Sequence, residues 1–223
     1  MVLVASLAFA LALPVLFISG SVRTLVTTPA LYDYGWWRYD IEGRTGLGGQ
    51  DLDDIGRQFR TYFTGDDELL DLTVAIGGQP MSLLTEREVR HMADVKALVQ
   101  RVFAAEWVSG IVAAVYVVGG FVLLRRAFWP LLRRWVRLSA VIALAAIVIV
   151  AVASLIAFDA VFTLFHVVSF SNDLWQLDPY RDYLLLLFPE AFFLDATIAI
   201  ALMTALAYGV AVSGVGWFER RLG

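Results

Sequence analysis

The chain has 223 residues, 60% of them hydrophobic, a net charge of −4 and no cysteine. Soluble domains run at about 45–50% apolar, so the excess points to a membrane protein. Disulfides, thiolate metal sites and cysteine nucleophiles are excluded, and nothing resembles the basic arm or basic aromatic stripe of a nucleic-acid binder.

Crossing a bilayer takes about 20 apolar residues at 1.5 Å each. Residues 1–22 form the first stretch of that kind. It lacks a basic leading region and a small-residue cleavage pattern, so it is read as an uncleaved first helix rather than a signal peptide. A cap is expected over 23–106. Within it, LYDYGWWRY (31–39) clusters aromatics of the kind that anchor at headgroup depth or wall a lipid groove.

DLDDIGRQFRTYF (51–63) places Leu52, Ile55, Phe59, Tyr62 and Phe63 at helical spacing, with Asp51 as N-cap. Gly65 and Gly77-Gly78 punctuate the chain, and LLDLTVAI (69–76) between them suits a short strand or a short helix. TEREVRHMADVKALVQRVF (85–103) predicts an amphipathic helix. Thr85 and Glu88 form a capping box, and Val89, Met92, Val95, Val99, Val102 and Phe103 share one face. His91 lies at the edge of that face, with Glu88 and Asp94 as its i−3 and i+3 neighbours. If this helix ran straight into the next span, His91 would stand about 24 Å above Trp107. A helix lying along the interface and bending before the span is therefore expected.

The second span is predicted over 107–124 and the third over 138–158, joined by a basic link, 125–137. That link holds Arg125, Arg126, Arg133, Arg134 and Arg137 and no acid. In 159–195, SFSND reads as a turn, and Asp178-Pro179 as the N-cap and first position of a helix over YRDYLLLLF (180–188). That helix is too short to span, so it is expected at the interface before Pro189 breaks it. Glu190 then opens toward a fourth span over 196–218, followed by a tail at 219–223. By the positive-inside rule the link and both termini are cytoplasmic. The outer segments 23–106 and 159–195 each sum to −5, so the acidic parts lie outside. The fold class is thus an all-α membrane protein of four transmembrane helices. Its extracellular cap is mainly helical, and a short interfacial helix precedes the fourth span.

Nucleophile elbows, HExxH, Walker and GxGxxG motifs are absent. The chemistry-bearing residues are the only two histidines, His91 and His166, both expected on the outer leaflet. Ionisable groups near membrane depth are functional suspects, and histidine moves protons near neutrality. Either ring alone also suits a structural role. With Asp94 or Asp173 the pair also fits the two-histidine, one-carboxylate pattern of a zinc hydrolase. A third alternative is a non-enzymatic accessory protein or chaperone of the membrane.

TEREVRHMADVKAL (85–98) and LFHVVSFSNDLWQLDPYRDYLLLLFPEAFF (164–193) resemble the lipoprotein intramolecular transacylase family of bacterial four-helix membrane proteins. The matching patterns are HM-x-DVK, FH-x3-F-x-ND-x-W-x-x-DP and PE-x-FF, with spacing intact. The resemblance implies an acyltransferase of the bacterial cell membrane whose active site faces outward. Its partners would be membrane lipids and a diacylated lipoprotein substrate. The sn-2 acyl chain would move to the α-amino group of the N-terminal cysteine, giving the lyso-form. No cofactor or metal is implied. His91 and His166 would be the catalytic acid and base, the assignment open between them. Asp94 or Asp173 would support a ring, Asn172 would donate to the oxyanion, and Phe165 and Trp175 would line the lipid groove.

Overall fold

The computed structural model of the chain describes residues 2–76 and 79–222. The predicted break at Gly77-Gly78 lies outside them. The elements in order are α1 (Val2–Thr27), α2 (Pro29–Arg38), α3 (Ile41–Thr45), α4 (Gly49–Thr64), β1 (Thr73–Ile76), β2 (Gln79–Ser82) and α5 (Glu86–Leu124). After a 3-10 turn at Arg125–Ala127 come α6 (Phe128–Ser169), α7 (Tyr183–Leu187) and α8 (Glu190–Leu222). Three helical runs are long and apolar enough to cross a membrane: Val2–Thr27, Glu86–Ser169 and Glu190–Leu222. The chain divides into two compact units.

The first unit comprises 1–22, 102–156 and 198–223. Phe9, Leu13, Ala113, Phe128, Leu132, Trp135, Val136 and Tyr208 form its core. Small polar side chains join its helices from within. Ser139 donates to the Ala10 carbonyl at 2.9 Å and shares a 2.8 Å bond with the Tyr208 hydroxyl, and Ser6 bonds Tyr116 at 2.8 Å. Membrane helices associate in this way, because lipid removes the hydrophobic drive between them. Large apolar residues such as Val122 and Ile149 point outward, as in a protein whose solvent is hydrocarbon. The basic link is mostly helical, and only the turn at Arg125–Ala127 interrupts it. That turn folds Phe128 onto Gly120, where a Cβ would overlap the ring. Arg133 pairs with Glu219 at 3.0 Å.

The second unit comprises 23–101 and 157–197. The predicted apolar face of α4, Leu52, Ile55, Phe59, Tyr62 and Phe63, is buried as a set. Asp51 is not the N-cap of α4. It sits three residues into the helix and accepts the Gly48 N–H at 3.3 Å, where a carboxylate serves the same positive helix end. The tract 69–76, open between strand and helix in the sequence, ends as a strand in one small antiparallel hairpin of an otherwise helical chain. Gln58 holds β1 there, donating to the Thr73 carbonyl at 2.9 Å and accepting its N–H at 3.1 Å. The aromatic cluster of α2 divides by helical period. Tyr32 and Trp36 enter the core, Trp37 is exposed, and Tyr34 donates to Asp195. Tyr39, just past the helix, donates to the same Asp195 oxygen at 2.6 Å.

Two expectations about the histidine-bearing helices change. The helix predicted over 85–103 is not a separate element; it is the first part of α5, which is helical to Leu124. The helix of the third span meets a kink at Ala157, one residue before its predicted end, and a further helical segment then runs on to Ser169. His166 therefore stands on a helix rather than in a loop.

Candidate active site

The N-terminus of α5 carries one half of the site. Its capping box forms as the spacing predicts. Glu88 accepts both the Thr85 N–H, at 2.7 Å, and the Thr85 hydroxyl, at 2.8 Å. The other Glu88 oxygen accepts the buried N–H of Leu184 at 2.8 Å, which ties the first turn of α5 to α7. Glu88 is fully buried. One turn further on, His91 is buried too, and its Nδ1 has no hydrogen-bond partner among the described residues.

The last turns of α6 carry the other half. His166 is 7% exposed, and its Nδ1 lies 2.7 Å from the Phe162 carbonyl, one helical turn back. A carbonyl only accepts, so Nδ1 holds the proton in this bond and the neutral ring presents a bare Nε2. Aromatic rings surround His166, with Phe162, Phe165, Phe170 and Trp175 at 4.2 to 5.6 Å between centroids. The rings of His91 and His166 are 6.2 Å apart.

Burial lowers both histidines below their ordinary value. His91 falls to about 4, chiefly through desolvation and then through the neighbouring His166. Asp94 pulls the other way, and Arg87 adds a smaller push down. For His166, desolvation outweighs the Phe162 carbonyl. Both rings are therefore neutral at pH 7. The unfolded chain binds a proton at His91 below about 6.5 that the folded chain refuses until about 4. Stability from this group is fully present above 6.5 and is lost as pH falls toward 4. The loss amounts to about 3 kcal/mol. Thermal unfolding from pH 7 to 4 should show a fall in Tm that His91→Phe markedly reduces, and an unchanged fall in that variant would count against the burial argument.

The supporting residues fall in different places. Asn172 is exposed; its Nδ2 donates to Asp94 at 2.9 Å, and its Oδ1 accepts the Leu174 N–H at 3.0 Å. Asp173 accepts from Gln176. The ring orientation expected from Asp94 or Asp173 comes, for His166, from a backbone carbonyl instead. Among the described residues no three His, Cys, Asp or Glu side chains stand close enough to hold a metal ion. Phe165 and Trp175 both pack against His166, Phe165 half-exposed and Trp175 half-buried. Asp178 does not cap a helix at 179. Its carboxylate accepts the Tyr180 N–H at 2.9 Å while Asp182 accepts the Asp178 N–H at 2.7 Å. The two aspartates close a turn, so α7 starts only at Tyr183. Glu190 sits in the first turn of α8, as its charge suggests.

Sequence reasoning missed the Phe162 carbonyl, the Leu184 amide and Arg87, whose Nε donates to the Leu174 carbonyl at 3.4 Å and whose Nη2 donates to that of Asp173. Only the i−4 spacing of Phe162 from His166 left any trace of these in the sequence.

The family description "Lipoprotein intramolecular transacylase Lit" matches residues 7–193. The chain belongs to the lipoprotein intramolecular transacylase family, a family of enzymes. Its fold is similar to that of the membrane integral lipoprotein intramolecular transacylase Lit from Bacillus cereus, with a TM-score of 0.84. That likeness covers 99% of this chain and 97% of the other at 21% identity, and so concerns the fold. A second structure of the Bacillus protein, with one histidine replaced by alanine, gives a TM-score of 0.80 at 19% identity, covering 99% of this chain and 94% of that one. An uncharacterized protein of Aquifex aeolicus strain VF5 is 30% identical over 132 residues, 59% of this chain. The match spans 56% of that curated relative, little more than half its length.

Proposed function

We propose that this member of the family moves the sn-2 acyl chain of a diacylglyceryl lipoprotein to the α-amino group of its N-terminal cysteine. The observation that carries the reading is the meeting of the chain's two histidines, 75 positions apart in sequence, with ring centroids 6.2 Å apart in a buried aromatic setting. The nucleophile is the substrate's own amine, so the protein need supply only proximity, proton transfer and oxyanion stabilisation.

His166 is the base in this scheme, because the Phe162 carbonyl holds Nδ1–H and leaves the Nε2 lone pair for the amine's proton. As the amine nitrogen bonds to the ester carbonyl carbon, Nε2 takes its proton and the carbonyl oxygen becomes an oxyanion. His91 stays neutral at pH 7, and a neutral imidazole N–H can donate to that oxyanion without giving up its proton. When the bond to the sn-2 oxygen breaks, His166 returns the proton to the departing alkoxide. The products are an amide and a free sn-2 hydroxyl. Asp94, three residues past His91, accepts from the substrate's neutral amine and orients it for attack, and Asn172 in turn donates to Asp94 at 2.9 Å. Phe165 and Trp175 line the acyl path beside His166.

The same reading takes the apolar helices as four spans in a bacterial cell membrane. The arginines of 125–137 and 220–221 are then cytoplasmic, and the histidines face outward. Expression in a bacterial host lacking this activity, followed by mass spectrometry of its lipoproteins, tests the reading. Lyso-form lipoprotein should appear, and chelators should leave its yield unchanged. Unaltered diacyl lipoprotein in a host that makes the folded protein would overturn the activity, and loss on chelation would overturn the metal-free mechanism.

A further inference from the structure

We infer that Arg87 is a positioning residue that acts through Trp175 on His166. The inference rests on the acyl-transfer reading for its consequence but not for its geometry. Arg87 occupies the first turn of α5, one turn before His91. Its guanidinium donates through Nη2 to the Asp173 carbonyl and through Nε to the Leu174 carbonyl, at 3.4 Å for the latter. These are the two residues directly before Trp175, whose ring lies 5.1 Å from that of His166.

The segment that Arg87 grips has no regular secondary structure of its own. From Phe170 to Asp182 it contains only bends and turns. Two side chains around His91 fasten it to α5: Arg87 takes the carbonyls before Trp175, and Asp94 takes the Asn172 side chain, while Glu88 takes the Leu184 amide just beyond the segment. Of these, Arg87 holds the backbone nearest to Trp175. A planar fork suits two successive carbonyls, and a lysine's single ammonium does not reproduce it. Arg87 is itself exposed, so its replacement leaves no buried cavity.

Without the fork, the Trp175 ring loses its fixed place and water reaches His166. The titratable group facing His166 is His91, and Arg87 and Asp94, on the same helix as His91, act on that ring. Arg87→Lys keeps the positive charge and removes the fork, which separates placement from electrostatics.

The experiment is a double-mutant cycle of Arg87→Lys and Trp175→Ala in the full-length protein, with two readouts. The first is the titration of His166 by NMR of histidine-labelled protein, in which the two rings are assigned by replacing His91. Arg87→Lys should raise the His166 midpoint toward 6.5, and in the Trp175→Ala background it should move it no further. The second is acyl transfer, where Arg87→Lys should lower kcat roughly tenfold with KM little changed, again with no added loss beyond Trp175→Ala. An Arg87→Lys protein with an unshifted His166 midpoint, or effects that add in full across the cycle, would overturn the inference. Failure of the acyl-transfer reading shows itself separately, as no lyso-form product from the unaltered protein while the titration still reports on Arg87.

Discussion

His166→Ala is expected to cut acyl transfer by about 10²–10⁴-fold, the span attributed to a positioned general base. Three observations point to this ring. It is buried among aromatics, its Nδ1 is held by the Phe162 carbonyl, and its Nε2 is left as the free lone pair. Because burial lowers His166 below 6.5, the base stays unprotonated to a lower pH than a free histidine would. The acid limb of kcat/KM should therefore lie below 6.5. His91→Ala removes an N–H donor rather than the base, at a cost of about 10²–10³-fold. The expected order is a deeper loss at 166 than at 91. Single-turnover assays on lipopeptide in bilayers, with the folded fraction measured alongside, would check it. Activity within tenfold of the unaltered enzyme for His166→Ala would remove this ring from the chemistry. A deeper loss at His91 would exchange the two roles.

Glu88→Ala should be the most destabilising single change in the second unit outside its apolar core. One fully buried carboxylate satisfies three donors: the Thr85 N–H, the Thr85 hydroxyl and the Leu184 N–H. The first two cap α5, and losing such a cap costs about 1 kcal/mol. The third leaves a buried amide unpaired, which costs about 1–3 kcal/mol. Together they predict a loss of about 3 kcal/mol, or a fall in Tm of about 6–12 °C for a chain of this length. Glu88→Gln should lie between, since an amide has one accepting oxygen and its NH2 must face a donor. Thr85→Val, which removes only the hydroxyl, should cost about 1 kcal/mol or less. Thermal unfolding in detergent reads all three. A Glu88→Ala protein melting within 2 °C of the unaltered chain would refute the buried clamp.

Much of this architecture was legible in the residue pattern, because helices in hydrocarbon must satisfy their own backbone and fill their surface with apolar side chains. The described residues of the apolar stretches at 1–22, 107–124, 138–158 and 196–218 fall in helices, with a kink at Ala157. The buried face of α4 and the Thr85–Glu88 box also follow from period and spacing, which are local properties. Where local rules competed, the ends of elements moved. Asp178-Pro179 carries every mark of a helix start, yet the Asp178–Asp182 exchange of backbone and side-chain bonds makes a turn there and delays α7 to Tyr183.

For the site, residue types alone singled out His91 and His166, since two histidines in so apolar a chain stand where their charge change is costly. Their resemblance to a family's motifs supplied a chemistry for them. Neither source held the distance between the rings. That depended on the chain turning helical again after the kink at Ala157 and staying so to Ser169, a continuation that no residue in the tract announces. The Phe162 carbonyl, the Leu184 amide and the carbonyls under Arg87 are backbone groups, identical in every residue but proline. A sequence marks which side chains can donate and accept. Only the packed chain decides which of these uniform backbone groups comes within reach, and here that choice gives His166 its tautomer and Glu88 its third donor.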